Sequence, residues 1–127
     1  MKHELEGQMG MYFDFDIYQR QAYKTLTKGN LGHLSSGLAA ETGEVMGIIQ
    51  KFHRNDPRYV YNTDDVIPTP NEEMRAALLA EMGDVLWYLA CLADYYDLPL
   101  SSVARHNINK LEKRQAKGVI QGDGDYR

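Results

Sequence analysis

The strongest constraint on this chain is the placement of two acidic pairs, Glu41/Glu44 and Glu81/Asp84, each spaced i, i+3 inside an apolar pattern of helical period. On a helical wheel of about 100° per residue, Glu41 falls within the stripe of Leu34, Leu38, Val45 and Phe52. Glu44 lies about 60° to one side of it. Glu81 and Asp84 flank a second stripe made of Leu78, Met82, Val85 and Leu89. A carboxylate on a buried stripe is costly unless it is paired, protonated or bound to metal. One such pair is usually a solvated helix face. Two pairs on helices that pack together bring four carboxylates to one edge of a core, and a cation is then required.

The surrounding pattern predicts four helices and no strand. A first helix runs from Asp14 or Asp16, either a fair N-cap, to Thr27, with Tyr18, Ala22 and Leu26 inward. A second covers Leu31 to His53, with Leu34, Leu38, Val45, Ile48 and Phe52 inward. A third spans Glu72 to Tyr96, with Leu78, Met82, Val85, Leu89 and Leu92 as its inner face. Asp97-Leu98-Pro99 breaks it, Ser101 or Ser102 caps a fourth helix, and Gly118 ends that helix after Lys117. Residues 1–12 read as a loose lead-in, 54–71 as a long Pro- and Asn-containing loop of the kind used as a lid, and 118–127 as a tail. The fold class is all-α, a four-helix bundle forming one domain over residues 1–127.

Composition narrows the partners. A formal net charge of −4 argues against sequence-independent binding to a nucleic-acid polymer. The one cysteine, Cys91, excludes an internal disulfide and fits a reducing compartment. With no uninterrupted run of about 18 apolar residues and no signal-peptide pattern, the expectation is a cytoplasmic protein with no membrane partner.

The ligand chemistry follows from the acids. Hard oxygen donors suit Mg²⁺ or Mn²⁺ and not zinc. A di-iron bundle needs a histidine three residues after a glutamate, and none of His3, His33, His53 or His106 stands there, which ranks iron below Mg²⁺ without removing it. On the fourth helix Asn107, Lys110 and Arg114 lie within about 60° of each other. Beside a metal–carboxylate site these cations can hold phosphate oxygens that the metal leaves uncovered, and the asparagine can orient a phosphate or a water. Lys51 and Arg54 add charge near the loop, where a plain surface role is commoner. Trp87, Tyr88, Tyr95 and Tyr96 read as core or subunit contact before they read as a base-stacking platform.

Taken together, GLAAETGEVMGIIQK, LLAEMGDVLWYLACLADYYDLPLSSVA and NINKLEKR resemble the MazG-like nucleoside triphosphate pyrophosphohydrolases, members of the all-α pyrophosphatase superfamily that includes dimeric dUTPases and dCTP pyrophosphatases. The similarity runs from about Tyr18 to the C-terminus, and the tail is similar to those of small stand-alone bacterial and phage members. The resemblance implies Mg²⁺-dependent cleavage between the α and β phosphates, giving a nucleoside monophosphate and pyrophosphate. It implies Glu41, Glu44, Glu81 and Asp84 as metal ligands, and Asn107, Lys110 and Arg114 as contacts to phosphate or metal-bound water. It implies homodimers or homotetramers, with active sites near subunit interfaces. Ala40 stands where many members have Gly or Glu, and the connection between the acidic motifs is longer than usual.

On that resemblance, two or three Mg²⁺ ions bridge carboxylates and triphosphate, Glu41 accepts the proton of the attacking water, and Lys110 and Arg114 stabilise the leaving group. Guanine or cytosine deoxynucleotides are the expected substrates, in nucleotide-pool control or house-cleaning. The rival readings are a dUTPase-like or alarmone-hydrolysing enzyme on the same scaffold, and a non-catalytic nucleotide or metal sensor.

Overall fold

A computed structural model describes residues 13–27, 29–56 and 70–118. The predicted lead-in, most of the predicted lid and the tail beyond Gly118 lie outside the described residues. Four helices are present: α1 (Phe15–Lys24), α2 (Leu31–His53), α3 (Glu72–Tyr95) and α4 (Leu100–Ala116). No strand occurs among the described residues, so the fold is all-α.

The first three helices start on side-chain caps, of which the sequence reading names Asp14 but not Asn30 or Asn71. Asp14, Asn30 and Asn71 each accept a hydrogen bond, at 2.8 Å, from the backbone N–H three residues on. Helix α1 ends earlier than predicted, with Thr25 as its C-cap. Helix α4 closes as predicted, with Gly118 in the left-handed region at φ +69°.

The start of α4 departs from the sequence reading. Pro99, which has no side-chain acceptor, is the N-cap, and Ser101 lies inside the helix. The cap comes instead from α1: Asp16 accepts from the Ser101 backbone N–H at 3.0 Å and from its hydroxyl at 2.6 Å. A neighbouring Gln19, which is buried, completes the clamp. Its Oε1 accepts from Leu100 N–H at 2.9 Å, while its Nε2 donates to the carbonyls of Leu98 and Ala90. Two polar residues of α1 thus satisfy the orphan amides that every helix N-terminus presents.

Helix α3 is central. It packs most extensively on α2, and also on α1 and α4. The core is Ala22, Leu34, Ala90, Cys91 and Leu100, with Tyr18, Leu26, Leu86, Trp87, Tyr88, Leu89 and Leu92 against it. The predicted inner face of α3 is therefore only partly right. Leu78, Val85, Leu89 and Leu92 are half-buried, but Met82 is exposed, and the fully buried positions are Met74, Ala90, Cys91 and Ala93. A helix touched on three sides has no single inner stripe, and its closest contacts fall on small residues that let neighbours approach. By length and composition α3 passes as a membrane span. Here it serves as the shared core helix of the bundle, interrupted by Glu81 and Asp84.

Two outcomes test the α1–α4 clamp. Replacing Gln19 with leucine keeps its volume and strands the Leu100 amide, which should lower unfolding stability by about 1–3 kcal/mol in urea titrations. A loss within about 0.5 kcal/mol of wild type would contradict the clamp. The hydrogen bonds from Ser101 hold the Asp16 carboxyl below its usual range. Such a depressed acid contributes stability above its unfolded value of about 3.9 and loses it as pH falls through the folded value. The melting-temperature deficit of Asp16→Asn should accordingly be full at neutral pH and shrink below about pH 4.

Candidate metal centre

Helices α2 and α3 run antiparallel, so that Glu41 comes opposite Glu81 and Asp84. One carboxylate oxygen from each of the three lies within 4.8 Å of the others. Glu41 and Glu81 are half-buried and Asp84 is exposed, which places the cluster at the margin of the core and open to solvent. Desolvation first, then the charges of Asp84, Glu81 and Glu44, push the Glu41 carboxyl above its ordinary range. All four influences act in the same direction, against the charged form. Three hard oxygen donors so close together fit a divalent cation of the Mg²⁺ or Mn²⁺ type.

The fourth predicted ligand, Glu44, is exposed and stands outside this group of three, although its charge reaches Glu41. On α4, Asn107 is exposed, Lys110 half-buried and Arg114 buried, at 7% exposure. A solvent-facing trio is thus not what forms: the face turns inward toward its C-terminal end. Helix α4 meets α1 and α3. It therefore shares with the carboxylates the helix that carries Glu81 and Asp84. Lys51 is exposed near the end of α2, with its ammonium over the Phe52 ring at 5.3 Å.

Other residues border the cluster that the acidic motifs do not reveal. Tyr18 of α1 is near enough to Asp84 that, after burial and Cys91, the aspartate helps push its phenol up. One turn from the acids on the α2–α3 seam, the Tyr88 ring packs on Gly37. Trp87 and Tyr88, set aside in the sequence as core or contact residues, do pack against the core. Tyr95 and Tyr96 are exposed. A mid-helix glycine four residues before Glu41 is the one sequence signal that could have marked this contact.

Comparison with known proteins places this all-α chain in a family. The family model described as the MazG nucleotide pyrophosphohydrolase domain matches residues 31–119, which takes in α2, α3 and α4. The chain belongs to this family. It is also 42% identical, over 121 residues, to the Gene 37 protein of Mycobacterium phage L5, covering 88% of this chain and 97% of the phage protein. No solved structure gives a significant match.

The raised pKa of Glu41 carries a sign that can be measured. An acid whose folded value is raised costs stability above that value, and the cost disappears as pH falls below the unfolded one, about 4.3. In metal-free protein Glu41→Gln should therefore raise the melting temperature at pH 7 and give no gain near pH 4. Saturating Mg²⁺ should raise the melting temperature of wild type and leave Glu41→Gln nearly unmoved. An equal Mg²⁺ shift in both proteins would exclude Glu41 as a ligand.

Proposed function

We propose that the protein hydrolyses (deoxy)nucleoside triphosphates at the α–β phosphate bond, releasing a nucleoside monophosphate and pyrophosphate. The observation that carries this reading is the convergence of Glu41, Glu81 and Asp84 inside the matched nucleotide pyrophosphohydrolase domain. Glu41, Glu44, Glu81 and Asp84 would hold two or three Mg²⁺ ions together with the substrate, Mn²⁺ being an acceptable substitute. Bound there, such ions supply Lewis-acid polarisation of the phosphorus and lower the pKa of a coordinated water.

The chain's own residues do the rest. Glu41, more basic than an ordinary carboxylate, takes the proton of the attacking water. Asn107, Lys110 and Arg114 orient the phosphates, and the two cations offset charge developing on the leaving pyrophosphate. Lys51 adds a further phosphate contact from the end of α2. Met46, Leu79 and Met82 expose apolar side chains on α2 and α3. Their exposure supports assembly through these helices into a homodimer or homotetramer, with the active site beside the interface. Activity on guanine or cytosine deoxynucleotides, in nucleotide-pool control or house-cleaning within the cytoplasm of a bacterium or infected host cell, is the role proposed.

Incubation with a panel of NTPs and dNTPs plus Mg²⁺, with product identification, tests the reading. Monophosphate and pyrophosphate should appear in equal amounts, with EDTA abolishing both. Glu44→Gln should lower kcat/KM at least about tenfold, and Lys110→Ala by about 100-fold. Turnover confined to dUTP or to an alarmone, or tight nucleotide binding without turnover, would each point to one of the rival readings, and release of inorganic phosphate from the γ position would reject the α–β cut.

A further inference from the structure

The carboxylates of α2 and α3 are held near one another across a seam, and something must fix the width of that seam. Gly37 stands one helical turn before Glu41, and Tyr88 one turn after Asp84, so the two pairs occupy the same faces about 6 Å apart along the helices. At this point the Tyr88 ring lies directly on the α2 backbone. A methyl group at residue 37 would fall inside the ring, overlapping Cε1 and Cζ and standing 2.7 Å from Cδ1. The other glycines of α2 behave differently. A methyl at Gly32 would meet an ordinary contact at 3.5 Å, and one at Gly43 or Gly47 would meet nothing within 4 Å.

The ring has little freedom to withdraw. Trp87 packs edge-on against it with centroids 4.9 Å apart, and His33 does the same from α2 at 5.8 Å. Trp87 is itself tied to α1, its Nε1 donating to Thr25 Oγ1 at 2.7 Å. A glycine inside a helix costs about 1 kcal/mol relative to alanine, and here that cost coincides with a contact that no other residue permits.

We propose that Gly37 and Tyr88 are positioning residues for the metal centre, forming a spacer that sets the α2–α3 separation at which Glu41, Glu81 and Asp84 share one cation. The inference rests on the reading of those acids as Mg²⁺ ligands. A binding constellation works best when its ligands are held within about 0.5 Å of their productive geometry. A methyl at residue 37 is accommodated only if the Tyr88 ring or one of the two helices shifts, one turn from the acids. The aromatic ring matters here and its hydroxyl does not.

Mn²⁺ alone, titrated into the metal-free full-length protein by calorimetry and followed by its electron paramagnetic resonance, tests this without recourse to turnover. Gly37→Ala should weaken Mn²⁺ binding roughly tenfold or more, with the helical circular dichroism of wild type. Gly47→Ala, which adds the same methyl in open space, should leave the affinity alone. Tyr88→Phe should bind within about twofold of wild type, whereas Tyr88→Ala, which removes the spacer, should bind more weakly. Combining Gly37→Ala with Tyr88→Ala should give a loss smaller than the sum of the two, because the clash is gone.

A Gly37→Ala protein that binds Mn²⁺ like wild type, or a double variant whose losses simply add, would overturn the spacer. If Gly37→Ala does not fold, Tyr88→Ala decides: undiminished affinity there overturns the proposal. Wild type that binds no Mn²⁺ overturns the metal reading and the spacer with it. Wild type that binds while the variants are unchanged removes the spacer alone.

Discussion

Three carboxylates drawn to one spot repel one another, and the α2–α3 packing holds them there regardless. The contacts that do so lie elsewhere along the seam: Leu34 and Cys91 are fully buried, and Tyr88 bears on Gly37. Apolar burial is non-directional and scales with area, so a long helix pair can absorb a local electrostatic cost without a dedicated counter-charge. The position of the cluster at the solvent margin keeps that cost modest. Glu41 carries most of the strain, since its raised pKa records burial and three like charges at once. A cation bound there would offset both. The cluster is held together by packing, and the proposed metal would complete it.

The proposed phosphate-binding face depends on a different contact. Helix α4, which carries Asn107, Lys110 and Arg114, has its own N-terminus fastened by α1. Asp16 and Gln19 supply the acceptors that Pro99 lacks, and the same glutamine donates to the backbone of α3. The short first helix, outside the residues matched to the family, is thus the piece that fixes α4 against α3. Tyr18, from the same helix, stands within electrostatic reach of Asp84. What surrounds the carboxylates is governed by α1 as much as by the helices that bear them.

This division explains which features could be read from the chain. The periods of α1 and α2 and the cap Asp14 are local properties, and local rules find them, whereas Asn30 and Asn71, which also cap helices, read as parts of the connections. Glu41 stands out because an acid on an apolar stripe is rare, and three of the four expected acids come together, with Glu44 outside the group. The α3 face was misread because periodicity assumes one buried side, whereas Ala90, Cys91 and Ala93 meet neighbours on several. The α4 cap reads as Ser101 or Ser102 because nothing in its own segment reveals an aspartate 85 residues upstream. Gln19 reads as an ordinary polar residue until the turn it clamps is seen. Tyr88 reads as an ordinary aromatic until Gly37 is placed beneath it.

Under the proposed assembly, the exposed apolar residues on the acid-bearing helices would connect subunit contact to chemistry. Met46, Leu79 and Met82 are about half exposed or more, on the two helices that carry all four acids. Under the proposed assembly a second copy covers them, and water leaves the neighbourhood of the carboxylates. Removal of water disfavours the charged form of each acid and strengthens its attraction to a divalent cation. Interface and metal then stabilise each other, since any cation that relieves the buried acids also favours the state in which they are buried. Linkage makes that relation reciprocal, with assembly tightening the cation as much as the cation tightens assembly. The acid cluster placed at the edge of one protomer's core, neither buried nor free, is the arrangement that allows such coupling.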